Sequence, residues 1–272
     1  MTKITTITSC WGRPDALETW LEAMRHASFS EVEHILFIIG EKAPAIPNPP
    51  PRLQVIEYPK PTRFSIGHAH NMGARLARTE WIMKLDVDTI PNANLFRNLM
   101  PVIDEAERRE WFNIGMLYFK KQFNEYLLRA DKMPIGRTQH DMIARNMPFY
   151  STGSYSYPAA SNFLCRTQEY LDLGGCDDRF DGYGWEDYQQ MYMLERWQRH
   201  ADPLPGPLHE HNVTQRCRNE ISRPKAMEMF RRDPSLFLYH RWHPTVAKPG
   251  PMIAANRRVL LENILHLRNN RT

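Results

Sequence analysis

The run His34-Ile35-Leu36-Phe37-Ile38-Ile39 gives a strand almost no polar face. A strand apolar on both sides must be covered on both sides, as in a parallel sheet held between helices. Lys3 to Ser9 alternates β-branched residues and forms a first strand, Cys10-Trp11-Gly12-Arg13-Pro14 makes a turn, and Asp15 caps a helix over Ala16 to His26. Leu53 to Tyr58 is a third strand, reached through the proline-rich surface connection Ala43 to Pro51. Strand, helix and strand in this order are the βαβ signature of the α/β class. With 272 residues the chain can bury a large core, as one big α/β domain or two closely joined lobes.

The segment Trp81-Ile82-Met83-Lys84-Leu85-Asp86-Val87-Asp88-Thr89-Ile90-Pro91 has the character of a buried central strand that ends in two aspartates. Open α/β sheets bind ligands at the carboxyl ends of their strands. If the extension persists, Asp86 and Asp88 point the same way and Val87 the other. Two such carboxylates suit a hard divalent cation, Mg²⁺ or Mn²⁺, shared with substrate phosphates. The plainer alternative is a strand end whose aspartates cap a helix over Asn92 to Met100. Just upstream, Arg63 to Ala77 is a loop entering a helix, with small residues Ala69, Gly73 and Ala77 where that helix approaches the sheet. The first hundred residues thus form a nucleotide-type half with its loops at one edge of the sheet.

Past Pro101 the pattern changes. Trp111 to Phe119 is strand-like, residues 130–160 are rich in Pro, Gly, Ser and Tyr and form loops, and Ala159 to Cys165 returns to strand character. Short helices are expected over Thr167 to Leu173 and Arg223 to Arg232, with a longer one over Asp187 to His200. Asp177-Asp178-Arg179-Phe180-Asp181-Gly182-Tyr183-Gly184-Trp185-Glu186-Asp187 brings two acids to that helix start, where the dipole favours negative charge. An ionised carboxylate in an aromatic-walled pocket can serve as general base for a sugar hydroxyl, and the aromatic faces can stack on a sugar ring. Capping acids beside a core tryptophan would have the same local sequence. In Leu208-His209-Glu210-His211-Asn212 the two histidines would share one face of a strand, and either could complete a metal site at Asp88.

Composition excludes other classes. The net charge is +4 and the 35 Lys and Arg form no long basic block, so nucleic acid is not an expected partner. The four cysteines show no CxxC pairing and read as reduced thiols. Met1 to Thr5 lacks the apolar region of a signal peptide and no apolar run is long enough to span a membrane, so a cytoplasmic location is expected. Met252 to Leu267 is a basic amphipathic helix, either packed on the core or lying against the inner face of a membrane.

Together these motifs resemble the GT-A nucleotide-sugar glycosyltransferases, in particular the family-2-like group with bacterial chondroitin-type capsule polymerases and β-1,4-galactosyltransferases. The resemblance runs from Ile4 to about His211. It implies a Rossmann-like mixed sheet flanked by helices, with a nucleotide-sugar half (about 1–100) and an acceptor half (101–245) in one domain, then a C-terminal helical tail (246–272). It places base and ribose at Thr8, Ser9 and Arg13, matches the family's arginine-to-NxG segment with Arg63 through His70-Asn71-Met72-Gly73, and gives Asp86 to the ribose and Asp88 to Mn²⁺ or Mg²⁺. Gly182 to Asp187 stands for the family's GWGxED, whose last aspartate is the usual base. Asp187 would then be the base, 99 residues after Asp88, with Glu186, Tyr183, Gly184 and Trp185 around the acceptor or donor sugar. Tyr183 replaces the family's Trp and Gln189 a common further acid, departures that bear on the acceptor rather than the reaction. A histidine after this helix often completes the metal shell, and His211 and His209 are the candidates.

The expected activity is transfer of a sugar from a nucleotide diphosphate donor, a UDP-sugar, to a carbohydrate acceptor with inversion, in capsule or cell-surface polysaccharide synthesis. Contact with a membrane or a glycan-synthesis complex would accompany that role. The rivals are a sugar nucleotidyltransferase, against which stands the missing Gly-rich, Lys/Arg-bearing phosphate loop after the first strand, and a non-catalytic carbohydrate-binding or scaffold subunit.

Overall fold

A computed structural model describes residues 2–27, 29–59, 66–118, 162–182, 184–233, 235–241 and 250–269. Arg63, Tyr183 and the expected loops of 130–160 lie outside the described residues.

Four strands form the parallel part of the main sheet: β1 (Ile4–Cys10), β2 (Val32–Ile39), β3 (Leu53–Tyr58) and β4 (Trp81–Lys84). The sheet continues through β8 (Phe163–Arg166), antiparallel to β4, and β6 (Phe112–Asn113), in the order β3-β2-β1-β4-β8-β6. Helix α1 (Pro14–Ala27) makes the β1–β2 crossover, and α2 (Ile66–Leu76) follows β3. The mixed sheet with helices on both faces is the α/β class the sequence announces.

Alternation along the strands divides the core in two. Leu36 and Ile38 of β2 and Trp81 and Met83 of β4 pack with Trp20 and Leu21 of α1 and with Phe96 and Leu99 of α3 (Leu95–Asp104). Ile35, Phe37 and Ile39 of β2 and Ile82 of β4 face the other way, toward Ala69 and Ala74 of α2 and Met191 and Tyr192 of α5 (Glu186–Arg199). Gly73 lets α2 lie against β1, since a Cβ there would come within 2.5 Å of Ile7. α4 (Thr167–Asp172) follows β8 directly.

A second, three-stranded sheet has the order β5-β9-β7, from β5 (Thr89–Pro91), β7 (Gly115–Tyr118) and β9 (Phe237–His240). Pro91 is tolerated because β5 is an edge strand. The single strand expected over Trp111 to Phe119 is therefore two short ones in different sheets, parted at Ile114. Between α5 and β9 run α6 (Val213–Arg216), a π-helical segment (Cys217–Ser222) and α7 (Arg223–Arg232). The chain closes with α8 (Gly250–Asn269), whose Leu260 and Ile264 are fully buried in the core beside α5. Among the described residues no helix is long and apolar enough to cross a membrane.

Candidate active site

Strand β4 ends at Lys84, so the Asp-x-Asp segment is a turn rather than a strand end. Leu85 still donates its backbone N–H to Ile7 (3.0 Å), and the chain then reverses, with the N–H and hydroxyl of Thr89 both donating to the Asp86 carbonyl (3.0 and 2.6 Å). The turn carries the chain out of the main sheet into β5. Antiparallel pairing sets Thr89 opposite His240, and the N–H of Arg241 donates to the Asp88 carbonyl (2.8 Å). This register brings His240 Nε2 to 3.5 Å from Asp88 Oδ2, while Arg13, from the turn after β1, reaches the same oxygen at 3.3 Å. Arg241 pairs with Asp15 at the start of α1 (3.1 Å). The carboxyl end of the sheet thus gathers Asp88, two arginines and an imidazole.

The second half of the site comes from the start of α5. Gly184 (φ +109°) and then Trp185 (φ +77°) adopt left-handed backbone, costly for a tryptophan and sustained only where the surroundings enforce it. Enforcement comes from α8. Asn256 accepts the Asp181 N–H (3.0 Å) and donates to the carbonyls of Asp181 (2.8 Å) and Gly184 (3.2 Å), and the Trp185 indole donates to the Ile253 carbonyl (3.3 Å). Glu186 and Asp187 emerge from this loop as the first residues of α5.

Lys84 links the two halves. It points to the same side of β4 as Ile82, toward α2 and α5, and its side chain is only 2% exposed. Its ammonium donates to Oδ1 of Asp187, whose side chain keeps 18% exposure. Glu186, 1% exposed, has an unpartnered Oε2. Burial pushes its carboxyl up from the ordinary glutamate range, Lys84 pulls it down, and Asp86 adds to the upward push. His70 on α2 is 2% exposed with both ring nitrogens unpartnered, and burial, then Lys84, hold its pKa well below the usual histidine value.

Residues 51–223, more than half of the chain, match the family described as glycosyltransferase like family 2. The chain belongs to this family. No curated protein matches the chain in sequence. Among solved structures it is similar to TarS (residues 1–349) of S. aureus, with 13% identity, a TM-score of 0.42, and coverage of 72% of this chain and 55% of that one. Glucosyl-3-phosphoglycerate synthase of Mycobacterium tuberculosis, solved with UDP, gives 14% identity, a TM-score of 0.48 and coverage of 97% and 79%. The mannosyltransferase PcManGT of Pyrobaculum calidifontis, solved with GDP-Man and Mn²⁺, gives 13%, 0.45, and 97% and 73%. The chain spans about half the length of the TarS fragment.

Of the residues expected from the motifs, Arg13 lies beside Asp88, Asp187 pairs with Lys84, and Asp86 is near enough to Glu186 to raise its carboxyl. Other expected residues are placed differently. His209 and His211 lie exposed in a turn before α6, stacked on each other (centroids 5.4 Å apart, planes at 9°), and the imidazole beside Asp88 is that of His240. Asn71 is committed to a structural clamp: its amide donates to the Cys176 carbonyl (2.8 Å) and accepts from the Cys176 N–H (2.8 Å) and the Tyr170 hydroxyl (2.9 Å). Thr8 is fully buried inside β1, and Ser9 beside it is partly exposed. The Trp185 ring stacks on Tyr188 (5.8 Å, 15°) and has the Arg257 guanidinium 5.7 Å from its centroid, so much of its surface is already covered. Lys84 did carry a sequence signal, a lone charge inside an apolar strand that needs a buried partner. His240 carried none, since only the β5–β9 register brings it to the site.

Proposed function

We propose that this glycosyltransferase moves a sugar from a nucleotide diphosphate donor, a UDP-sugar, to a carbohydrate hydroxyl with inversion at the anomeric carbon. One observation carries this reading. Lys84, at the end of β4 just before the Asp-x-Asp turn, donates to Asp187 at the start of α5, so the turn and the acceptor-activating carboxylate lie at one sheet edge.

Arg13 would hold the anionic donor and Asp86 its ribose. A divalent ion would be held by the Asp88 carboxylate and the His240 imidazole, in place of the Arg13 contact to the same Asp88 oxygen. Among the described residues no group of three His, Cys, Asp or Glu side chains forms a complete cage, so diphosphate oxygens and water would supply the other ligands. When bound, such an ion would neutralise the charge of the leaving diphosphate. Asp187 takes the proton from the acceptor hydroxyl as its oxygen bonds to the anomeric carbon. The sugar–phosphate bond breaks from the opposite face and its electron pair leaves with the nucleotide diphosphate. The loop 181–185 positions the acceptor, and the product belongs to a cell-surface glycan assembled from the cytoplasmic side.

A donor screen tests the reading: nucleotide release from UDP-, GDP- and dTDP-sugars with Mn²⁺, with and without carbohydrate acceptors. Release from one UDP-sugar is expected, lost in Asp88→Ala and with a chelator. Asp187→Asn should keep metal-dependent donor binding and lose transfer by about 100-fold or more. Pyrophosphate release from UTP and a sugar phosphate would instead reveal a nucleotidyltransferase, and binding of a UDP-sugar without turnover a non-catalytic subunit.

A further inference from the structure

We propose that Lys84 is the positioning residue for Asp187, holding one carboxylate oxygen so that the other faces the acceptor. The inference rests on the proposed role of Asp187 as base and assigns work to a residue that lies outside both acidic motifs. An ammonium with 2% exposure at the end of a central strand is expensive to bury, and a hydrophobic side chain would pack there at lower cost. The side chain aims at Oδ1 of Asp187. Burial disfavours the charged forms of the neighbouring His70 and Glu186, and the ammonium's hydrogen bond goes to Asp187.

With Oδ1 held, the side-chain torsions of Asp187 are fixed, and among the described residues no other donor takes its second oxygen. Lys84 also stands two residues before Asp86, so a shift of the donor turn reaches Asp187 through one side chain. Orientation of a reacting group is worth orders of magnitude in rate, and little of that is expressed in ground-state binding.

The test is a kinetic and double-mutant comparison of wild type, Lys84→Met, Lys84→Arg, Asp187→Asn and the double variant. Wild-type turnover and its loss in Asp187→Asn establish the underlying reading first, and its failure there would be separate from any result at Lys84. Lys84→Met is expected to lower kcat at least 30-fold with donor KM changed less than threefold. Lys84→Arg should recover a measurable part of kcat, and Lys84→Met should cost almost nothing further in an Asp187→Asn background. Unchanged kcat in Lys84→Met, a loss confined to donor KM, or losses that multiply in the double variant would overturn the proposal. If Lys84→Met does not fold, the neutral pair Lys84→Met/Asp187→Asn should fold again. A double variant as unstable as the single would show that Lys84 serves the core and not Asp187.

Discussion

With both ring nitrogens enclosed and unpartnered, His70 has its pKa held well below the usual histidine value by burial and then by Lys84. Below its ordinary value of 6.5 the unfolded chain therefore binds more protons at this position than the native one. Stability then rises with pH through that region and is lost as pH falls. Replacing the imidazole by leucine removes this contribution. The wild type should lose stability relative to His70→Leu as pH drops from 6.5 toward 5, by up to about 1.4 kcal/mol per pH unit. Urea midpoints at several pH values check it, and parallel curves for the two proteins would show that His70 is accessible to protons in the native state. The resemblance puts His70 and Asn71 at the donor, yet the fold spends Asn71 on the Cys176 backbone and the Tyr170 hydroxyl and buries His70 near Lys84. A short motif specifies residue types and order, while their direction from the helix depends on how closely α2 lies on β1, and that is fixed by Gly73 and Ile7.

Among the elements, the first three strands and α1 were legible because each carries a full period of apolar residues. β5 and β9 were not, being three and four residues long and stabilised by pairing with partners far away in the chain. The same holds for α6 and the π-helical segment, which merge with α7 and lack a distinct start signal. α8 was expected as a helix, but its grip on the loop before α5 was not. Asn256 is 1% exposed and makes three hydrogen bonds to the backbone of the loop 181–184. Its loss leaves buried backbone groups unpaired, at about 1–3 kcal/mol. Asn256→Ala should lower stability by that amount and raise acceptor KM several-fold while donor KM stays put. A variant with both constants unchanged would show that the left-handed turn at Trp185 holds without its clamp.

At the scale of the whole molecule, α8 contributes to the same core as the sheet. Leu260 and Ile264 have no exposed surface, and Arg268 reaches back to Asp202 (2.7 Å). Removing two such side chains from a core costs about 2–5 kcal/mol each, comparable with the total stability of a domain. A chain ending at residue 245 should therefore show no cooperative thermal transition and should bind a hydrophobic dye. A sharp transition near that of the full chain would show that α8 adds little to the core. Amphipathicity alone cannot separate a core-packed helix from a membrane-surface one, because both need an apolar stripe. The decision lies in the surface that the stripe meets, and here α5 supplies it.

The C-terminal segment touches both ends of the candidate site. Its strand sets His240 and the Arg241 N–H against Asp88, and its helix grips the loop before Asp187. Attempts to recombine this enzyme with a relative would have to respect that. Crossing over near residue 100, the seam expected from the sequence, would pair a resident Asp-x-Asp turn with a foreign β9, and the imidazole beside Asp88 would then be an accident of the donor sequence. A graft of donor preference onto this scaffold therefore needs residues 237–269 to travel with the first hundred.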